Sequence, residues 1–151
     1  MVKYMVMVLV AAGALFAGAA EGTSAAPRAT GEWLDAGWKF ARFYATPEPK
    51  GAEAADFDAS AWQSVRLPHD WGVSFPFSAK ISGVLGRLPY FGTGWYKRDF
   101  TVTEAQRRGR VYLDFGGAMS RATVYVNGRK VGARPFGFIS FRVDATDALV
   151  P

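Results

Sequence analysis

The sequence contains no cysteine. That excludes a disulfide framework, a thiolate-held metal and a lipid-anchored N-terminal Cys. Export remains open, because domains of this size can stand without disulfides. Histidine is nearly absent too: His69 is the single one. A lone imidazole without acidic or thiol partners at ligand spacing is a poor metal site. It is also the one possible base for a serine nucleophile, and no Gly-x-Ser-x-Gly elbow accompanies it. Charge of one sign is modest, with 18 Lys plus Arg against 13 Asp plus Glu and a net +5. The basic residues are scattered apart from Arg107, Arg108 and Arg110, which read as a solvated turn and not as a phosphate-tracking stripe. Gly92-x-Gly94 and Gly116-Gly117 open no helix with phosphate-loop spacing, so tight turns and bulges account for them. From about Gly31 onward there is no internal repeat, low-complexity tract or interdomain linker.

Aromatics and turn formers are plentiful: 12 Phe, 6 Tyr and 5 Trp, with 17 Gly and 8 Pro. Aromatic and β-branched residues suit pleated, half-buried surfaces, and Gly and Pro suit many turns. In 151 residues this predicts one β-rich core.

The N-terminus departs from that pattern. Lys3 precedes Val6 to Ala20, an uncharged apolar run of 15 residues, shorter than the ~20 that prefer to span a bilayer. Small residues follow, with Ala17-Gly18-Ala19 fitting the A-x-A cleavage pattern and a second option near Ser24-Ala25-Ala26. Residues 1–26 therefore read as a secretory signal peptide, helical in its apolar part, and the chain as exported to a periplasmic or extracellular space.

Thr46 to Ala55 is the most loop-like stretch, and Asp58 or Ser60 can cap a single turn that buries Phe57 and Trp62. Period-2 alternation then dominates. Trp38, Phe40 and Arg42 alternate with Lys39, Ala41 and Phe43. Tyr96, Arg98, Phe100 and Val102 alternate with Lys97, Asp99 and Thr101, as in an amphipathic strand running from edge to core. Val111, Leu113 and Phe115 share one face, as do Ala122, Val124 and Val126. Asn127-Gly128 is a strong hairpin signal, since both residues tolerate positive φ. Val131 begins the return strand, and Ile139, Phe141 and Val143 form one more face. Many short strands with turns between them predict an all-β antiparallel sandwich or jelly roll, and its apolar faces require a second layer. Trp38, Trp62 and Trp95 fall in its core.

Several stretches in order carry a family resemblance. They are Ala61-Trp62 with Leu67-Pro68-His69-Asp70-Trp71, then Gly92-Thr93-Gly94-Trp95-Tyr96-Lys97-Arg98-Asp99-Phe100. Next come Val124-Tyr125-Val126-Asn127-Gly128 with Val131-Gly132, and Pro135-Phe136-Gly137-Phe138-Ile139-Ser140-Phe141 with Asp144. Across residues 31–151 the chain resembles the N-terminal sugar-binding, galactose-binding-like jelly roll of glycoside hydrolase family 2. The Pro-His-Asp-Trp version is most similar to the β-galactosidase branch, more than to the β-glucuronidases or β-mannosidases.

The resemblance implies a larger enzyme that hydrolyses terminal β-galactosides with retention. This sandwich would be followed by an immunoglobulin-like domain and a (β/α)₈ barrel holding two catalytic glutamates. It further implies a domain that continues past Asp144-Ala145-Thr146 into another strand. No catalytic residue is expected within these residues, and no cofactor or metal. The partners expected are a β-galactoside and the downstream domains, with no nucleic acid and no membrane once the leader is removed. A retaining pair of carboxyl groups stands about 5–5.5 Å apart, and no acidic pair here stands out; Glu48, Glu53, Asp56 and Asp58 read as solvated or capping. A free-standing carbohydrate-binding module and a purely structural sandwich are the alternatives.

The substrate-binding candidates are Asp70, His69 and Trp71. In the family the matching loop reaches into the barrel's active site and holds the terminal sugar through its hydroxyls. An ionised Asp70 suits that role because a carboxylate accepts several hydrogen bonds; equally, it suits an Asx turn. His69 leans toward a structural role. Residues 71–94 are Gly/Pro-rich without sustained period, so they predict a long loop. Its aromatics, Trp71, Phe75, Phe77, Tyr90 and Phe91, could offer rings to apolar sugar faces or pack internally.

Overall fold

A computed structural model of the chain describes the backbone of residues 2–10 and residues 31–81, 88 and 91–149. Its strands are β1 (Val2–Val10), β2 (Trp38–Phe43), β3 (Gln63–Val65), β4 (Thr93–Val102), β5 (Tyr112–Phe115), β6 (Ala122–Val126), β7 (Arg129–Arg134) and β8 (Phe141–Asp144). One sheet has six strands in the order β3-β2-β4-β1-β6-β7; the other pairs β5 with β8. Every pairing is antiparallel. The described residues are mostly β, with their antiparallel strands in two sheets.

The period-2 patterns explain the layers. Trp38, Phe40, Tyr96, Phe100, Val102, Val124 and Val126 form one buried face of the large sheet, and Leu113 and Val143 of the small sheet close over it. Val124 and Val126 are fully buried, each contributing on the order of 1.5–3 kcal/mol relative to exposure. The Asn127-Gly128 hairpin is present, with φ of 50° and 81° at its two turn residues.

The other face of the large sheet is covered as well, which alternation alone did not predict. The 44–62 segment lies across it, burying Ala52 and Trp95 with Phe43, Phe57, Trp62 and Tyr125. Within it Asp58 Oδ1 accepts from the Ser60 N–H at 2.8 Å, capping a turn as expected. Glu48, expected to be solvated, accepts instead from the Trp95 indole at 2.8 Å. β4 is correspondingly an interior strand, between β2 and β1, and Lys97 on its nominally wet face is only 7% exposed. Its ammonium stays hydrogen-bonded by donating to the carbonyls of Ala54, Ala55 and Phe57.

Two smaller differences have local causes. Thr103 and Gln106 form a reciprocal capping box that starts a one-turn helix, α1 (Glu104–Arg107); the Thr-x-x-Gln spacing was the available signal. Ile139 lies outside β8 and is 42% exposed, since the turn at residues 135–140 ends its period. Gly92 has φ of 107°, and a Cβ there would stand 2.5 Å from the Phe43 carbonyl oxygen. Gly92→Ala is therefore expected to cost at least about 1–3 kcal/mol, read as a lower denaturant midpoint with an unchanged slope.

The leader needs a correction over its first part. Val2–Val10 is not helical but a strand, paired with β4 along its length and with β6 over four residues. A short apolar run rich in Val fits a buried strand as well as a signal's apolar region, and periodicity cannot separate the two. The rest of that expectation, including both cleavage options, lies outside the described residues, as does Tyr90.

Candidate functional site

The loop after β3 holds the three nominated residues together. Its start is fixed by a hydrogen bond from the Leu67 N–H to the Asp35 carbonyl, 2.7 Å, and the Leu67–Pro68 peptide is cis. His69 follows, with Nδ1 2.8 Å from the Tyr96 hydroxyl of β4 and its ring edge-on to Phe40 of β2, centroids 4.6 Å apart. Trp71 is 3% exposed and stacks on Phe40 at 5.6 Å. Asp70, between these two anchors, accepts from the Gly72 N–H through Oδ1 at 2.8 Å. This Asx turn leads into a single 3₁₀ turn, Gly72–Ser74.

The three candidates thus have different placements. Trp71 is a core residue whose ring has almost no surface left for a ligand in this arrangement. His69 is a half-buried strut. Asp70 is also partly buried and holds its carboxyl group at the start of the 3₁₀ turn. Beside them is an open cavity of about 190 Å³, lined by Phe40, Arg42, Gln63, His69, Trp71 and Phe75 among others. Arg42 lies over the Phe75 ring at 4.6 Å. Sequence reasoning named neither Arg42 nor Tyr96 for this site. Their positions on period-2 strands were legible, but not that β2 and β4 would bring them beside the loop.

Burial sets the protonation here. The Tyr96 hydroxyl is pushed well above the usual phenol range, chiefly by desolvation and further by the negative charge of Asp70. Desolvation also lowers His69 below its ordinary 6.5, and the opposing pull of Asp70 is smaller. The unfolded chain therefore takes up this proton first as pH falls. Stability due to neutral His69 is complete above about pH 6.5 and is lost as pH drops through the folded value. His69→Gln is expected to flatten that part of the stability–pH curve, and the one imidazole in the chain makes the titration readable directly by NMR. A midpoint at or above 6.5 would contradict the burial described.

The fold and loop define an antiparallel β-sandwich of galactose-binding-like type. Residues 91–151 match the family model described as glycosyl hydrolase 2 galactose-binding domain-like. The chain is similar to a putative β-glucuronidase of Formosa agariphila, 34% identical over 97 residues, covering 62% of this chain and 9% of the relative. It is also similar to a β-galactosidase of Bacteroides ovatus, 37% identical over 103 residues, covering 66% of this chain and 12% of the relative. Among solved structures, a β-glycosidase from Bacteroides vulgatus superimposes with a TM-score of 0.68 at 31% identity, over 78% of this chain and 15% of that one. The chain is therefore similar to the galactose-binding-like N-terminal domains of glycoside hydrolase family 2, and its residues 91–151 match that family's model directly. It spans about a tenth of the length of those curated relatives.

Proposed function

We infer that this chain is the N-terminal carbohydrate-binding domain of an exported, retaining glycosidase that removes terminal β-galactosyl groups, the catalytic glutamates lying in a domain beyond these residues. The observation that carries the reading is a carboxyl group on a loop anchored on both sides. His69 ties the loop to Tyr96, and Trp71 buries against Phe40. An ionised carboxylate has about four acceptor sites, so the Asx turn that orients Asp70 is compatible with a hydrogen bond from a sugar hydroxyl. Export rests on the Lys3-led apolar run and the small residues after it. A β-glucuronidase is the second reading, favoured by the similarity to the putative β-glucuronidase of Formosa agariphila.

Asp70→Asn is the discriminating variant, because an amide oxygen can keep the Asx turn while the charge is lost. In the full-length enzyme it is expected to lower kcat/KM on an aryl β-galactoside about 10- to 100-fold, the worth of one hydrogen bond to a charged group. A change below about twofold, with the fold intact, would make the loop's role structural. Faster turnover of an aryl β-glucuronide than of the β-galactoside by the unaltered enzyme would select the second reading. The 151-residue chain alone is expected to turn over neither substrate.

A further inference from the structure

β2 carries a cation on the face that it turns to the core. Trp38, Phe40 and Arg42 share that face by alternation, and Trp38 and Phe40 are buried on it. Arg42 stands near its end, opposite Gly94 of β4, which offers no side chain to pair with it. The guanidinium lies instead against two rings, 4.6 Å from the Phe75 centroid and 5.7 Å from that of Tyr44. Ring faces attract a cation and hold it in place, but they leave its N–H donors unpaired. Nη1 is buried without a hydrogen-bond partner, and no carboxylate pairs with Arg42 among the described residues. A half-buried guanidinium in that state is poised for an anion, because its desolvation is uncompensated until one arrives.

The surroundings suit an anion carried on a sugar. Arg42 lines the cavity beside the Asp70 loop together with the hydrogen-bonding side chains of Gln63, His69 and Ser74, and no acidic residue is among those lining it. Next to Arg42, Tyr44 and Phe91 form a ring pair with centroids 5.8 Å apart, and both are exposed. Exposed rings accept the apolar C–H face of a pyranose, and a guanidinium forks onto two oxygens of one oxyanion. His69 and Trp71 line the cavity and flank Asp70 in the chain, so the cavity adjoins the residue assigned above to the terminal sugar. We propose that it is a subsite for an acidic sugar joined to that terminal one, its carboxylate or sulfate paired with Arg42 and its ring resting on Tyr44 and Phe91. This rests on the glycosidase reading above and names a feature of the substrate that a simple aryl glycoside lacks.

The test uses the full-length enzyme and three disaccharides whose terminal sugar is the one it removes faster from an aryl glycoside. The second sugar is glucose, glucuronate or glucose 6-sulfate. At about 10 mM NaCl, where charges are least screened, kcat/KM on the better acidic substrate is expected to exceed that on the glucose one at least about tenfold, the worth of one hydrogen bond between charged groups. Whichever acid gains more identifies the anion as carboxylate or sulfate. The gain is expected to shrink severalfold at about 0.5 M NaCl. Arg42→Gln is expected to bring the acidic-to-neutral ratio close to 1, and Arg42→Lys to restore part of it. Equal rates on all three substrates, or a preference that survives Arg42→Gln, would overturn the subsite and leave the glycosidase reading standing. An Arg42→Gln enzyme that loses its discrimination between aryl β-glucuronide and aryl β-galactoside would put the anion on the terminal sugar, which also overturns it. Failure to cleave any of the disaccharides or aryl glycosides would overturn both readings. The substrate and salt comparisons need no variant, so an Arg42 substitution that fails to fold leaves the subsite open to refutation.

Discussion

Trp71→Ala is expected to destabilise the domain by about 3–5 kcal/mol, the range for deleting a buried large aromatic. Trp71 is 3% exposed and shares a cluster with Trp38, Phe40, Val65 and Tyr96, so the loop behind it loses its anchor as the core loses volume. Trp71→Phe separates volume from polarity. The indole N–H is buried and has no hydrogen-bond partner among the described residues, and burying such a donor is itself unfavourable. The phenyl ring removes that cost while leaving a cavity worth roughly 1 kcal/mol, so its net effect is expected to be within about 1.5 kcal/mol. Denaturant midpoints of the two variants check this. A Phe variant as unstable as the Ala variant would mean that the N–H is satisfied by a group outside these residues.

Lys97→Met is the second large effect, expected at about 3 kcal/mol of lost stability. The substitution keeps an unbranched apolar stem and removes only the ammonium. Lost with it are the bonds to Ala54, Ala55 and Phe57, at 3.2, 3.3 and 2.5 Å, and the contact over the Phe57 ring at 5.4 Å. Hydrogen bonds to a charged group contribute about 1.5–3 kcal/mol each but do not add. Opposing them is desolvation, which holds the Lys97 pKa below its ordinary value despite the favourable charges of Asp99, Asp56 and Asp58. The segment at residues 51–58 should therefore become accessible to protease and to fast hydrogen exchange in the variant. A neutral or stabilising Lys97→Met would show that desolvation outweighs the three bonds.

The two positions also mark what could be read in advance. Trp71 stood next to His69 and Asp70 in a motif, so the loop was legible, but an exposed sugar platform and a buried anchor have the same residue type. The Phe40 contact decides between them. Lys97 alternated with Tyr96 and so predicted solvent; the loop that covers it is some 40 residues distant in sequence and carries no periodic signal. The same logic applies to Glu48, which no local pattern ties to Trp95. Val2–Val10 illustrates the limit from the other side: nine apolar-rich residues satisfy the chemistry of a leader and that of a central strand equally.

The sequence by itself determined the β class, the alternating faces of β4, β5 and β6, the Asn127-Gly128 hairpin and the family resemblance. All of these follow from side-chain period, turn chemistry and motif order, which are local. Only the tertiary structure decided that β4 is interior, that residues 44–62 roof the second face, that Tyr96 and Phe40 brace the Asp70 loop, and that Asn127 and Arg129 hold the Asp147 and Ala148 carbonyls at the β6–β7 turn. Those contacts join residues distant along the chain, and their free energy comes from shared burial and hydrogen bonding that no single segment carries.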